Sequence, residues 1–323
     1  PQYKIVNLAL CKYPLLRIIA QENGFKIQEL EDNFNIVWSD TVLPLTRLVR
    51  LANWQRTNHF PSMYLLCRKG HLGITLGRMR KVMPSHYIFY PRTWSLRSER
   101  HQFARFLMAL RSKFFIMKPN SGCQGRGIMI TRDPLNAVED LDNIVQEYIT
   151  RPLLLEGRKF DLRVYVLLTS IRAPSIFLFN DGLVRQCAEL YERPTVKNTC
   201  KHLTNYAVNK HNPEYVFNDD GNKRNFKFFN EWLESCGKSV EQFWARVAHV
   251  ICKTILVAQP QIANVYNSCF EVLGFDILVD NKMKPWLMEV NHTPSLVTDT
   301  PLDYEVKHAL ISEVWDILDV KVT

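Results

Sequence analysis

The chain has 323 residues, of which 46% are hydrophobic and 23% are charged, a balance typical of globular proteins that excludes a disordered chain. No apolar run approaches the roughly 18 residues that a membrane helix needs, so the sequence predicts no membrane span. Lys and Arg number 41 against 32 Asp and Glu, and the net charge of +9 favours polyanionic partners such as nucleic acid, nucleotides or acidic protein segments.

The cysteines indicate the compartment. Eight cysteines are spread widely without a CxxC pair, so neither a zinc site nor a dense disulfide framework is indicated. Scattered free thiols are typical of a reducing, intracellular compartment. The first residues, Pro1-Gln2-Tyr3-Lys4, have no signal-peptide character, and we expect a fragment of a longer protein.

The first 67 residues predict a small α/β domain. Its expected elements are two strands, at 3–10 and 35–38, and two helices, at 13–23 and 47–56. The motif Asn58-His59-Phe60-Pro61 then breaks the pattern, because proline restricts the residue before it. We place a domain boundary near Cys67.

Two further units are expected, a second domain over 68–150 and a third over 151–323. Their predicted elements are helices over 98–111 and 242–258 and strands over 114–117, 127–131 and 144–149. Apolar residues recur with helical spacing along 242–258, which predicts an amphipathic helix that buries one face in the core.

A glycine-rich turn follows Lys118 at the end of an apolar strand. It reads Ser121-Gly122-Cys123-Gln124-Gly125-Arg126-Gly127 and leads into Ile128. The turn lacks the Gly-Lys-Ser/Thr of a Walker A loop and opens no helix, so it is not a dinucleotide fingerprint. Backbone N–H groups and Arg126 in such a turn can cover a phosphate chain, although a plain hairpin is the simpler interpretation of the turn alone.

The run 159–168 places charges on one face of an apolar strand. Because strand side chains alternate, Lys159, Asp161 and Arg163 share the face opposite the apolar residues. Such charges need a partner or a ligand, and a surface series of ion pairs is equally compatible with the pattern. Asn180-Asp181-Gly182 predicts a hairpin that brings Arg185 into the same sheet.

The strongest local pattern is the strand pair 275–279 and 286–291, joined by a polar turn around Lys282. A turn centred there places Asp276 opposite Glu289, and alternation places Asn291 on the same face. Opposed carboxylates cost stability unless a cation neutralises them, and oxygen-only ligands suit Mg²⁺. The sequence therefore predicts a magnesium site on this strand pair.

Six motifs then occur in order along the chain: Lys118-Pro119, the 122–127 loop, Gln146-Glu147-Tyr148-Ile149, Lys159-Phe160-Asp161-Leu162-Arg163, His202-Leu203-Thr204-Asn205-Tyr206 and Met288-Glu289-Val290-Asn291-His292-Thr293-Pro294. This combination resembles the tubulin tyrosine ligase-like family of ATP-grasp amino-acid ligases, and within it the tubulin polyglutamylases. The resemblance covers nearly the whole chain. It implies an α/β (α+β) ATP-grasp fold with a small N-terminal α/β domain and with ATP between two sheets.

The resemblance also implies site residues. The ATP contacts would be Lys118, Gln124, Gly125, Arg126, Gly127, Ile128, Gln146, Glu147, Tyr148, Ile149, Lys159, Asp161, Thr204 and Asn205. The Mg²⁺ ligands would be Asp276, Glu289 and Asn291. Arg163 and Arg185 would meet the acceptor carboxylate, the acyl phosphate or the incoming amino acid, while Cys123, Gln124 and His292 would take part in choosing the amino acid. Lys118, Arg163 and Arg185 are the expected catalytic residues.

The implied activity is ATP-dependent ligation of free L-glutamate onto glutamates of acidic tubulin C-terminal tails, with ADP as product. We expect a monomer acting on microtubules in the cytoplasm, including cilia and basal bodies, without nucleic-acid or membrane binding. The positive charge suits an acidic tail. Candidate basic contacts are Arg47, Arg50, Arg56, Arg68, Lys69, Arg78, Arg80 and Lys81.

Several alternatives stay open at this point. The chain could be a tubulin glycylase or tyrosine ligase of the same family, or a nucleotide-binding microtubule adaptor without turnover. An RNA-binding protein is suggested by charge alone, and no RRM, KH or zinc-finger pattern accompanies it. The preference for α- or β-tubulin and the choice between chain initiation and elongation are undecided. Stretches after Thr195 and Asp220 are shorter than the family pattern suggests.

Overall fold

The computed structural model describes residues 3–29, 33–109, 113–120, 127–137, 141–194, 201–204, 206–209, 212, 221–262 and 268–320. Within these ranges the strands form three sheets, and helices pack on them in a mixed α/β arrangement, as the sequence predicts. None of the helices in the described ranges is both long and apolar enough to cross a membrane.

The N-terminal unit is a parallel sheet in the order β2-β1-β3-β4. Its elements are β1 (Lys4–Asn7), α1 (Pro14–Glu22), β2 (Phe25–Gln28), β3 (Ile36–Val37), α2 (Leu45–Leu48) and β4 (Arg56–Thr57). The first predicted helix and both strands are confirmed, but β2 was not foreseen. The helix predicted over 47–56 is wrong: only its beginning is helical, because Arg56 N donates to Asn35 O and draws the end of the segment into the sheet.

The central unit is an antiparallel sheet in the order β5-β8-β6-β7. Its elements are α3 (Tyr64–Cys67), α4 (Lys69–Val82), β5 (Thr93–Ser95), α5 (Leu96–Ala109), β6 (Phe115–Pro119), β7 (Met129–Thr131), α6 (Pro134–Ala137) and β8 (Asn143–Glu147). The three predicted strands and the helix are confirmed. One sheet face packs on α5 through Phe103 and Phe115, and the other presents Ile116 and Tyr148 toward Leu203.

The C-terminal unit is an antiparallel sheet in the order β12-β11-β10-β13-β14, with β9 pairing β10. Its elements are β9 (Leu154–Leu155), β10 (Arg158–Ser170), β11 (Ser175–Gln186), α7 (Tyr206–Asn209), β12 (Lys223–Arg224), α8 (Phe226–Ser235), α9 (Val240–Ile262), β13 (Glu271–Val279), β14 (Pro285–Asn291) and α10 (Pro301–Leu318).

The hairpin predicted at Asn180-Asp181-Gly182 is wrong, because β11 runs straight through these residues and the turn from β10 to β11 lies at 171–174. Asp181 Oδ1 instead accepts from Gly182 N and Phe226 N, which anchors α8 to the strand. A Cβ atom at Gly182 would lie 2.4 Å from Arg163 O and 2.5 Å from the Phe226 ring. Glycine is therefore required here by close packing rather than by a turn.

Strand β10 separates two cores. Phe160, Leu162 and Val164 face α8 and α9, and the stripe predicted along 242–258 is buried against them. Tyr165 and Leu167 face the opposite side, where they pack with α10 and the N-terminal sheet. The alternation predicted for this strand is confirmed. The domain boundaries near 67 and 150 stay predictions.

Candidate active site

Four charged side chains meet on one face of the C-terminal sheet. Asp161 and Arg163 lie on β10, opposite Arg185 of β11 and Asp276 of β13 respectively. Arg185 Nε and Nη2 each lie 2.7 Å from an oxygen of Asp161, and Nη2 also lies 2.8 Å from Asp276 Oδ2. Arg163 Nε donates to Asp276 Oδ1 at 2.6 Å. We name these four residues the charged face.

Burial makes the charged face electrostatically strong. All four side chains are at most 13% exposed. Burial alone would raise the pKa of Asp276, but the guanidinium groups of Arg163 and Arg185 outweigh it and hold that pKa well below its usual range. Asp276 therefore stays ionised, and it fixes the directions of both arginines.

Glu289 and Asn291 lie beside the charged face on β14. Asp276 is paired with Glu289 across β13 and β14, as the position of the turn predicts. Asn291 Nδ2 lies 3.4 Å from Glu289 Oε1, and Lys69 Nζ lies 3.5 Å from Glu289 Oε2. The opposed carboxylates are thus neutralised in the structure by Arg163, Arg185 and Lys69, which the sequence interpretation did not foresee.

This set of oxygen ligands fits Mg²⁺, which prefers carboxylate and amide oxygens together with phosphates and water. The carboxylate of Glu289 is 23% exposed and already attracts one cation, the ammonium group of Lys69. Asp276 holds two arginines, so Glu289 and Asn291 are the residues better placed to hold the metal. The metal assignment stays a prediction.

Lys118 lies on β6 of the central sheet, where its Nζ donates to Gln146 Oε1 at 3.0 Å. Gln146 Nε2 in turn donates to Thr93 Oγ1 at 2.9 Å, which fixes the amide. Burial, opposed by Glu289 but assisted by the positive charge of Lys69, lowers the pKa of Lys118 to about 8. A buried ammonium group held in this way is suited to an anionic ligand such as a phosphate chain.

Lys159 joins the central and C-terminal sheets. Its Nζ donates to His202 O at 2.6 Å and lies 3.2 Å from Tyr148 Oη. Burial lowers the pKa of Lys159, and burial next to this ammonium group lowers the pKa of His202 to about 4. Lys159 and the aromatic ring of Tyr148 therefore meet where the resemblance places the nucleotide.

The remaining predicted site residues lie in different parts of the structure. Thr204 Oγ1 donates to Asp161 Oδ2 at 2.5 Å, which connects it to the charged face. The side chain of Glu147 binds Lys113 at 2.6 Å. Gly127 has a φ of +69°, which favours glycine. Ile128 packs against the cluster around Tyr148 and Leu203, whereas Ile149 is half-buried just after β8. Cys123, Gln124, Gly125, Arg126 and Asn205 lie outside the described residues.

Two lysines beside the charged face were missed by the sequence analysis. Lys223 is paired with Arg185 across β11 and β12, and its Nζ lies 2.7 Å from Asp303 Oδ2. Lys307 Nζ lies 2.8 Å from Asp303 Oδ1 and is buried within α10. A lysine at a core position of an apolar helical stripe was the signal that could have identified Lys307.

His292, predicted to bind substrate, packs against His59, and its role stays a prediction. Its ring is 5.8 Å from that of His59, whose Nδ1 lies 2.6 Å from Glu271 Oε1. Ligand atoms of these three residues lie within 4.8 Å of one another, a spacing that could hold a metal ion. Both ring nitrogens of His59 already have partners, because Nε2 lies 2.9 Å from Ser39 O. The hydrogen bonds of His59 connect the N-terminal unit to β13, and His292 joins the cluster through its ring contact with His59.

Comparison with known proteins gives a family match. A family model described as the tubulin-tyrosine ligase family matches residues 48–322. Tubulin polyglutamylase TTLL6 of Mus musculus is 40% identical over 330 residues, which cover 98% of this chain and 40% of that protein. Tubulin polyglutamylase TTLL7 of Mus musculus is 40% identical over 338 residues, which cover 98% of this chain and 37% of that protein.

The match therefore covers nearly all of this chain but only about two fifths of the relatives' own length. The matched residues include the charged face, the strand pair β13–β14 and the lysines that face them. The chain belongs to the tubulin-tyrosine ligase family.

Proposed function

We propose that this protein ligates free L-glutamate onto glutamate side chains of acidic tubulin tails, with ATP and Mg²⁺. The observation that carries the proposal is the convergence of Arg163, Arg185 and Asp276 beside Glu289 and facing Lys118. The relatives that cover the same residues are named tubulin polyglutamylases.

The proposed reaction has two steps. An oxygen of the acceptor carboxylate attacks the γ-phosphorus of ATP, and ADP leaves. The amine of free glutamate then attacks the acyl carbon, phosphate leaves, and the nitrogen loses a proton. When bound at Glu289 and Asn291, Mg²⁺ would offset the negative charge of the phosphates.

The residues of this chain bind and orient the reacting groups. Lys118 and Lys159 hold the phosphate chain, since positioning and electrostatics dominate phosphoryl transfer. Arg163 stabilises the oxyanion that forms at the acyl carbon, and removing one such donor typically costs about 10²–10³ in rate. Asp276 keeps Arg163 in the required direction through its bond to Nε.

The preference for glutamate rests on its second carboxylate, which needs a cationic partner. Nε and Nη2 of Arg185 already bind Asp161 and Asp276. The donor carboxylate is therefore bound by Arg185 Nη1. Lys223 and Lys307, which lie on the neighbouring strand and helix and bind Asp303, add positive charge near it. Glycine has no side-chain carboxylate and would leave Arg185 Nη1 without this partner.

Competition between labelled glutamate, glycine and tyrosine on tubulin, with nucleotide products counted, tests the donor and the reaction together. We expect glutamate to be incorporated with one ADP and one phosphate released for each residue added. Preferred incorporation of glycine or tyrosine would favour another activity of the family. Release of AMP would contradict an acyl phosphate, and nucleotide binding without incorporation of any amino acid would indicate an adaptor.

The metal assignment is tested by Glu289→Gln, which keeps the shape of the side chain and removes its charge. We expect a loss of ligation of at least about 100-fold, because the metal loses its only carboxylate ligand on β14. The melting temperature should change little, since the Glu289 side chain is 23% exposed. Nearly normal ligation by a folded variant would contradict the assignment.

A further inference from the structure

A cavity of about 720 Å³, whose wall includes none of the four residues of the charged face, lies between α4, β5 and α5. This volume falls within the range of typical ligand sites, roughly 300–1,000 Å³. Its wall carries four cationic side chains, Arg78, Arg80, Lys81 and Arg92, and a single acidic one, Glu99. The cavity is therefore suited to an anionic ligand.

Two of these cations are available to a ligand. Arg80 Nη1 donates to Tyr90 O at 3.4 Å, and the guanidinium group of Arg92 lies 5.0 Å from the centre of the Phe106 ring. Within the described parts of the chain, neither arginine has an ion-pair partner. Burial and the neighbouring charge of Arg92 lower the pKa of Arg80, and an anion between them would relieve this repulsion.

The same cavity also has an apolar side. Tyr87, Tyr90, Trp94 and Phe106 contribute to its wall next to the cations. Aromatic rings beside arginines favour a ligand that combines negative charge with an apolar side chain. An acidic peptide segment that carries a bulky apolar residue has this combination, and the acceptor of the proposed reaction is acidic.

Helix α4 relates Arg80 in the cavity wall to Glu289 beside the charged face. The helix begins at Lys69, which contacts Glu289, and Arg80 follows eleven residues later. At 1.5 Å per residue this separation is about 16 Å. An extended peptide covers about 3.3 Å per residue, so about five residues span the same distance.

We propose that this cavity binds a segment of the acceptor polypeptide about five residues away from the glutamate being modified, through Arg80, Arg92 and the aromatic wall. This inference rests on the proposed function, because that function supplies the acidic acceptor. It adds a second contact that selects acceptors by length and by sequence.

The experiment measures KM and Kd of fluorescent acceptor peptides for the wild-type protein and for the double variant Arg80→Gln, Arg92→Gln. One peptide has three residues. The longer peptides carry seven additional residues on the N-terminal or on the C-terminal side. This extension contains either Glu and one Phe or only Gly and Ser. For the wild type we expect the acidic extension on one side to lower KM and Kd at least tenfold. In the double variant this gain should fall below about twofold, while KM for ATP is unchanged.

The double variant Lys227→Gln, Lys238→Gln is the matched control, because it removes the same charge from exposed positions on and just after α8. It should keep the tenfold gain, and melting temperatures should show that both variants are folded. An equal gain from the Gly/Ser extension, or an equal loss in the control, would overturn the proposal. So would stronger arginine-dependent binding of a single-stranded oligonucleotide of equal charge.

Measurements of peptide binding without ATP separate the two proposals. If no peptide is ligated but the long acidic peptide binds through Arg80 and Arg92, the cavity assignment is supported and the proposed ligase function fails. If ligation proceeds but neither KM nor Kd depends on the two arginines, the cavity assignment is overturned and the ligase function is unaffected.

Discussion

Strand β13 carries two buried carboxylates five residues apart, and their surroundings differ. Asp276 meets two arginines, Arg163 and Arg185, which outweigh burial and hold its pKa well below the usual range. Glu271 meets one histidine, His59, together with the backbone N–H of Phe60, and burial prevails, so the pKa of Glu271 is raised.

The number of permanently charged partners accounts for the difference. An arginine is always protonated, so two of them keep a buried carboxylate ionised. A histidine can release its proton, so the pair formed by His59 and Glu271 can exist as ions or as neutral groups. The end of β13 near Asp276 is thus held in one charge state, which suits a reaction site. The end near Glu271 connects two structural units.

Asp276→Asn is the change with the largest expected effect on this comparison. It leaves Arg163 and Arg185 buried with one fewer negative charge, and breaking such a pair costs about 3–5 kcal/mol of unfolding free energy. Ligation should fall at least about 100-fold, because Arg163 loses the group that orients it. Chemical denaturation and ligation assays measure both. Unfolding free energy within about 1 kcal/mol of the wild type would contradict this account of the charged face.

Glu271→Gln should have a smaller effect on stability. The amide oxygen of glutamine can accept from Phe60 N, and its NH₂ group can donate to Nδ1 of a neutral His59 whose Nε2 donates to Ser39 O. Both hydrogen bonds therefore survive while the ion pair is lost. We expect a loss of about 1–2 kcal/mol in unfolding free energy and ligation within about threefold of the wild type. Denaturant titrations of Glu271→Gln and Asp276→Asn, carried out side by side, compare their unfolding free energies. A larger loss than in Asp276→Asn would reverse the order that we assign to the two ends of β13.

The contribution of His59 to stability depends on pH. Burial alone would lower the pKa of His59, but the charge and hydrogen bond of Glu271 outweigh it, and the pKa is raised. The contribution of His59 to stability is therefore complete below about pH 6.5 and is lost as the pH rises through the raised pKa. The raised pKa of Glu271 also makes stability fall as the pH rises, and its effect begins at a lower pH than that of His59.

Unfolding free energies of the wild type and of His59→Gln, measured from pH 6 to pH 8.5, test this prediction. The wild type should lose stability relative to the variant as the pH rises, by at most about 1.4 kcal/mol per pH unit for one proton. A constant difference between the two proteins would mean that His59 does not change its protonation on unfolding in this range.

Local patterns predicted much of the site. Alternation alone placed Lys159, Asp161 and Arg163 on one face of β10, and the position of the turn placed Asp276 opposite Glu289. Both inferences hold because strand side chains alternate with a period of two, so a short sequence fixes their faces. The helical stripe of α9 was predictable for the corresponding reason.

Other features depended on distant parts of the chain. Asn180-Asp181-Gly182 has the composition of a hairpin, but packing of Phe226 against Gly182 keeps it within a strand. The strand β2 and the end of the segment 47–56 are extended because neighbouring strands pair with them. Turn composition and short-range propensity are weak signals where such pairing supplies the hydrogen bonds.

The sequence by itself determined the family, the faces of the main strands and the residue types of the site. Only the tertiary structure decided which charges meet: Arg163 binds Asp276 across 113 positions, and His59 binds Glu271 across 212. It also brought Lys223 and Lys307 to Asp303. The reason is physical, because a buried charge requires a counter-charge, and strand order and helix packing determine which partner lies within reach.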